Sequence, residues 1–191
     1  MRRDSILRHV IRRVGPCRLG ADHHPDHLTA LAASIISQQL SGKAADTIFG
    51  RFLALFPGHA IPDAASMVGL SEASLRAVGL SRQKAMYLKD LCVRIERREL
   101  ALEGIDALPD EAVIKSLTTV KGIGRWTAEM FLMFRLHRPD VLPVADLGIV
   151  TGVQKLYGLR KRPDAKRLLA IGEAWRPYRS VACWYVWRVH S

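Results

Sequence analysis

A lone carboxylate, Asp146, stands just after a proline turn in the segment Leu142-Pro143-Val144-Ala145-Asp146-Leu147-Gly148-Ile149, and a helical apolar pattern follows it. Aspartate is a favoured helix N-cap because its side-chain oxygen accepts an otherwise unpaired N–H of the first turn. The same position suits chemistry. A carboxylate at a helix N-terminus faces the positive end of the dipole and a set of N–H donors, and both favour its ionised form. Fixed negative charge of that kind stabilises a cationic transition state or orients water. The cap and the catalytic role are compatible, and the residue types leave both open.

A second segment, Leu117 to Ala128 (LTTVKGIGRWTA), sets two glycines around Ile123 between two helical patterns. Gly122 and Gly124 permit a tight hairpin whose backbone N–H groups point outward near a helix N-terminus, an arrangement that binds phosphate without reading bases. Ile123 would plug this hairpin into the core. A plain helix-to-helix connection fits the triplet equally. Ser37-Gln38-Gln39-Leu40-Ser41 places uncharged hydrogen-bonding side chains at another helix junction. They could fill the gap left by a displaced base, or be ordinary loop polarity. Trp175, Tyr178, Trp184, Tyr185 and Trp187 concentrate aromatic rings near the C-terminus. Packing accounts for most of them; one or two could stack on a nucleobase, for which Trp126 beside the hairpin is the stronger candidate. Asp22, His23, His24, Asp26 and His27 are metal-capable types, but their bunching around Pro25 fits a solvated linker better than a metal site.

These residues need elements to hold them, and the apolar periodicity supplies helices. Leu28, Leu31, Ala32, Ile35 and Ile36 follow the amphipathic spacing, and Ala45, Ile48, Phe49, Phe52 and Phe56 repeat it as far as Pro57-Gly58. Ala85, Leu88, Cys92 and Ile95 line one face of a charged helix between Ser81 and Leu100. Another helix starts at Pro109-Asp110-Glu111, and the run from Thr127 to Leu136 is apolar nearly all round, as a buried central helix is. Helices are also expected over 146–157, 164–175 and 179–189. No alternating strand pair or internal repeat stands out, so the fold class is all-α. Breaks at 22–26 and 137–143 divide the chain into a central helical subdomain of residues 28–137, ending in the helix–hairpin–helix, and a second helical subdomain built from residues 1–27 plus 138–191.

Composition narrows the partner. The chain has 191 residues and 29 Lys+Arg against 18 Asp+Glu, a formal charge of +11, and 21 of the 29 are arginine. Arginine's planar fork suits phosphate, so nucleic acid is the leading partner and an anionic membrane surface the lesser. The excess sits at the ends: residues 1–26 hold 6 basic and 3 acidic groups and residues 138–191 hold 10 and 4, whereas 27–137 hold 13 and 11. Hydrophobic residues at 49% with 25% charged exclude intrinsic disorder. No apolar run approaches the ~18 residues of a membrane span, and the charged start MRRDSILRHVIRRVG lacks the features of a secretory signal, so a soluble cytoplasmic protein is expected. The three scattered cysteines cannot build a zinc site, an iron–sulfur cluster or a disulfide framework.

Taken in order, IISQQLSGKAADTIFGRF, VKGIGRWTAEMFLMF, LPVADLGI and WRPYRSVACWYVW closely resemble the helix-hairpin-helix DNA glycosylase superfamily. The resemblance spans about residues 28–190 and is specific to the alkylpurine branch, DNA-3-methyladenine glycosylase II. It implies two helical subdomains with a substrate cleft between them, in a compact form without the amino-terminal β-rich domain of some longer relatives. It makes Asp146 the catalytic carboxylate and sets Trp126, Met130 and Trp187 around the substrate base. Gln38, Gln39, Gly122, Gly124, Arg125 and Thr127 become the DNA-binding residues, with Gln39 as a wedge inserted into the duplex. The carbonyls of Thr118, Val120 and Ile123 are expected to hold a sodium or potassium ion, and no other cofactor is required.

The implied activity is monofunctional: hydrolysis of the N-glycosidic bond of alkylated purines such as 3-methyladenine and 7-methylguanine, by base flipping, as the first step of base excision repair. The partner is double-stranded DNA containing damaged bases, met by a monomer at the nucleoid, or in the nucleus of a eukaryote. Relatives that also nick the strand place a Schiff-base lysine where this chain has Trp126, and Lys121 lies on the other side of the hairpin. Two departures matter. Ala145 stands where many relatives carry a second acid, which leaves Asp146 alone. Met130 replaces an aromatic found in some relatives, which points to weaker stacking and a different lesion set. The alternatives are a bifunctional glycosylase/lyase for oxidised bases and a non-catalytic helix–hairpin–helix DNA-binding protein.

Overall fold

The computed structural model describes residues 4–19, 24–56 and 62–190. Among them are eleven α-helices and no strand. Seven helices begin on an Asp or Ser whose side chain accepts a first-turn N–H: Asp4, Asp26, Asp63, Ser71, Ser81, Asp146 and Asp164. Local sequence thus sets most helix starts, since each cap satisfies a donor that the helix itself leaves unpaired.

The chain forms two compact units, one of them nested in the other's sequence: His23–Phe131, and Met1–Asp22 with Leu132–Ser191. In the inserted unit, α2 (His27–Ser37), α3 (Gly42–Leu53), α4 (Ala64–Gly69), α5 (Glu72–Ala77), α6 (Arg82–Glu96), α7 (Asp110–Leu117) and α8 (Arg125–Met130) follow in order. The long α6 is the hub, with α2, α4 and α5 packed on it, while α2 also packs on α3 and α7 on α8. Leu88, Leu91 and Cys92 of α6 and Leu31, Ile35 and Ile36 of α2 are all buried in the apolar core of this unit. The outer unit contains α1 (Ser5–Val14), α9 (Leu147–Leu156), α10 (Ala165–Gly172) and α11 (Arg179–Trp187), with α11 packed on both α1 and α9.

The expected central helix from Thr127 to Leu136 is α8 followed by a single π-turn, Phe131–Arg135. Ala128, Phe131, Leu132 and Met133 are buried there, as the all-round apolar pattern requires. The segments expected as helix over 164–175 and 179–189 end in 3₁₀ turns, Glu173–Trp175 and Arg188–His190. Helix α3 ends at Leu53, ahead of Pro57-Gly58, which lie outside the described residues. No helix among the described residues is long and apolar enough to cross a membrane.

Candidate active site

In the outer unit, Asp146 caps α9. Its Oδ1 accepts the Ile149 N–H at 2.7 Å and the Trp187 Nε1–H at 2.9 Å, and the residue is only 8% exposed. The cap is local: a proline turn leads into it, with the Asp146 N–H bonded to the Pro143 carbonyl at 3.0 Å. The indole is not local, for it comes from the far end of α11. Trp187 in turn stacks on Phe134, ring centroids 5.9 Å apart and planes at 21°. Gly148 makes this approach feasible. A Cβ there would stand 2.9 Å from Trp187 Cδ1 and 3.1 Å from Asp146 Oδ1. The site therefore joins one carboxylate, oriented by two N–H donors, to a pair of stacked aromatic rings. Such a group can stabilise positive charge and accept a proton from water.

Sequence reasoning assigned no role to Gly148 or Phe134. Gly148 carried a signal, because glycine in the first turn of a helix costs propensity and calls for a packing reason. Phe134 carried none, since it sits in a run that is apolar on every side.

Of the other C-terminal aromatics, Tyr178 is 52% exposed and the remaining three are buried. Trp175 is fully buried, and its Nε1–H is shared between Asp4 Oδ2 at 3.0 Å and Tyr157 Oη at 3.1 Å. Trp184 is buried beneath the Arg188 guanidinium, 3.3 Å from its ring centroid, and Tyr185 donates its hydroxyl to the Gly15 carbonyl at 2.8 Å.

In the inserted unit, the hairpin between α7 and α8 turns at Gly122, which has φ +83°. A Cβ at that residue would overlap the Tyr87 ring of α6, so glycine is demanded both by backbone conformation and by space. Ile123 is buried as expected, and its N–H closes the turn onto the Val120 carbonyl at 3.1 Å. The Lys121 N–H points instead to Asp90 Oδ2 at 2.8 Å. Burial works to raise the Asp90 carboxyl, but that N–H and the Arg94 guanidinium outweigh it and hold Asp90 below the usual carboxylate range. Gly124 is the N-cap of α8 and has no side chain to turn back on its first N–H groups.

Gln38 is tied to this hairpin, its Nε2 donating to the Gly122 carbonyl at 2.8 Å. Gln39 is exposed and held at φ +57°. Arg125 is engaged within the protein: its fork meets Glu111 at 2.5 and 3.1 Å, and its Nε meets Glu129 at 3.1 Å. Thr127 is 5% exposed, so it is turned into the protein. Trp126 is 46% exposed on α8, with Met130 half-buried one turn further. These last two belong to the inserted unit, and Asp146, Phe134 and Trp187 to the outer one.

Of the metal-capable run, Asp22 and His23 lie outside the described residues. Asp26 caps α2 through the Thr29 N–H at 2.7 Å, and His27 Nε2 lies 2.9 Å from Asp106. Among the described residues no cluster of three His, Cys, Asp or Glu could hold a metal ion.

Comparison with known proteins places this geometry in context. The family model described as HhH-GPD superfamily base excision DNA repair protein matches residues 32–177. DNA-3-methyladenine glycosylase 1 of Schizosaccharomyces pombe is 37% identical over 159 residues, which are 83% of this chain and 70% of that protein. Among solved structures, the DNA-3-methyladenine glycosidase of Bacillus halodurans is similar with a TM-score of 0.85 and 40% identity, covering 98% of this chain and 85% of its own. The S. pombe 3-methyladenine DNA glycosylase, solved in complex with abasic DNA, gives a TM-score of 0.78 at 33% identity over 97% of this chain and 91% of its own.

Proposed function

We propose, since the chain belongs to the HhH-GPD superfamily of base excision DNA repair proteins, that it is a monofunctional DNA glycosylase. It hydrolyses the N-glycosidic bond of alkylated purines in duplex DNA, at the nucleoid or in a nucleus, as a monomer. The observation that carries the catalytic assignment is Asp146, a carboxylate fixed at the start of α9 by the Ile149 N–H and the Trp187 indole. The target nucleotide must leave the stack for its glycosidic bond to be reached. Alkylation at N3 or N7 makes the base cationic, so when the C–N bond breaks the electron pair returns to a ring that departs neutral. The positive charge passes to the sugar. Asp146 stabilises that cation, and water adds to it with loss of a proton that the carboxylate can accept.

A unit charge ~4 Å from the developing cation at an effective dielectric constant of ~20 contributes about 4 kcal/mol, roughly a thousandfold in rate. Trp126, Met130 and Trp187 are assigned to the flipped base, where electron-rich rings favour a cationic purine over a neutral one. Gly122 and Gly124 offer backbone N–H groups to phosphate, and Arg125 and Thr127 are assigned to the same DNA-binding surface. Gln38 and Gln39 face the opened base step, Gln39 as the wedge. The carbonyls of Thr118, Val120 and Ile123 are hard, neutral oxygen donors of the kind that replace the hydration shell of sodium or potassium, and such an ion would brace the hairpin. No other cofactor is required.

Asp146→Asn is the test. Its rate of base release from methylated duplex is expected to fall roughly a thousandfold while its affinity for DNA is kept; near-wild-type release would overturn the assignment. Borohydride is expected to trap no covalent complex, since the Schiff-base position holds Trp126, and a trapped adduct would establish a lyase instead.

A further inference from the structure

The two loops assigned above to DNA, the α2–α3 junction and the hairpin, are both seated on one face of α6. Lys84, Tyr87, Asp90 and Arg94 succeed one another at helical spacing along that face. Lys84 Nζ donates to the Ile36 carbonyl at 2.7 Å and to the Gln38 carbonyl at 2.6 Å, so an ammonium group caps the C-terminal end of α2, where cations are favoured. One turn further, the Tyr87 ring lies against Gly122. One turn beyond that, Asp90 takes the Lys121 N–H at 2.8 Å and is itself held by Arg94 Nε at 2.9 Å. The loops are also joined directly, through the Gln38 amide and the Gly122 carbonyl at 2.8 Å. The contacts close a ring from Lys84 to Gln38, to Gly122, to Tyr87 and back along α6.

Gln39 leaves this ring at φ +57°. The left-handed conformation is disfavoured for a non-glycine residue, so the surroundings and not the residue's own preference hold it there.

We infer that Lys84, supported by Tyr87 and Asp90, is a positioning residue that fixes the spacing between the phosphate-binding hairpin and the wedge. The inference rests on the roles proposed above for those two loops. Its physical content is a transfer of binding energy. Opening a base step is costly, and a wedge on a slack loop would yield rather than push. With the loops locked together, phosphate binding at the hairpin is converted into displacement of the base, which is how binding energy remote from the reacting bond raises a rate.

The test compares two duplexes that carry the same methylated purine, one normally paired and one opposite an abasic site, where the lesion is already loosened. Single-turnover base release is measured for the wild type, Lys84→Met and Asp90→Asn, together with each protein's thermal unfolding. Lys84→Met is expected to lose at least tenfold on the paired lesion and less than about twofold on the unpaired one. Asp90→Asn shows the same pattern more weakly, and decides the matter if Lys84→Met does not fold. Equal losses on both substrates, or no loss on either, overturn the inference while wild-type release leaves the glycosylase reading intact. No release by the wild type on either substrate sinks that reading, and this inference falls with it.

Discussion

Asp146 is one of five aspartates that cap helices among the described residues, so capping alone does not single it out. Its second donor, the Trp187 indole, does more to distinguish it. Asp4 also takes an indole N–H, but there Leu7 occupies one oxygen while Tyr157 and Trp175 share the other, which makes it a clamp. The close passage of Trp187 over the first turn of α9 depends on Gly148. Gly148→Ala would put a methyl 2.9 Å from the indole, so ring and carboxylate must shift by some tenths of an ångström. Misplacement of that order in a positioned group is expected to lower base release roughly ten- to a hundredfold. The helix should persist, since alanine is the better helix former. Single-turnover kinetics and a melting curve on the same variant separate the two effects.

The hairpin between α7 and α8 shows how an element is specified from both ends. Ile123 is buried, the α8 cap is a glycine, and Gly122 combines a positive φ with direct contact to Tyr87. Gly122→Ala therefore meets two costs, about 1–2 kcal/mol for left-handed backbone and a further steric term where Tyr87 must move. The expected result is destabilisation of at least about 2 kcal/mol in a urea melt, with weaker binding to undamaged DNA because the hairpin N–H groups lose their aim. The Gly124→Ala change, at an extended residue with nothing within 4 Å of a Cβ, is the matched control. It should cost no more than about 1 kcal/mol, the difference between glycine and alanine at an N-cap.

At the scale of the whole molecule, the outer unit is assembled from both ends of the chain, and helix α1 is fastened at each of its ends. Asp4 binds Tyr157 and Trp175 at one end, and the Gly15 carbonyl accepts the Tyr185 hydroxyl at the other. Burial works to raise the Asp4 carboxyl, but the Leu7 N–H, Tyr157 and Trp175 outweigh it and hold it below its ordinary 3.8. A carboxyl depressed in the folded state contributes its stability above the unfolded value and loses it as pH falls through the folded one. Unfolding free energy is therefore expected to drop below about pH 4. Asp4→Asn should lower stability at neutral pH by about 1–3 kcal/mol and flatten that part of the acid limb, as urea melts between pH 7 and pH 3 would record. Burial, with Asp4 beside it, pushes the Tyr157 hydroxyl upward, so the clamp is intact at neutral pH and on the alkaline side the phenol gives way only in strong alkali.

The sequence by itself determined the helical class, most helix starts, the glycine hairpin and the cap position of Asp146. Each of these rests on local physics: apolar period, a side-chain oxygen beside an unpaired N–H, or a residue without a Cβ. Only the tertiary structure decided what lies beside them. The Trp187 indole reaches Asp146 from 41 residues away, and the Gln38 amide reaches Gly122 from 84. By residue type alone Lys84 is one more charge on a polar helix face; its two carbonyl partners come from the packing of α2. The Arg125 fork is likewise met by Glu111, on the preceding helix. Pairings of that kind depend on which helices pack together, and no periodicity along a single chain encodes them.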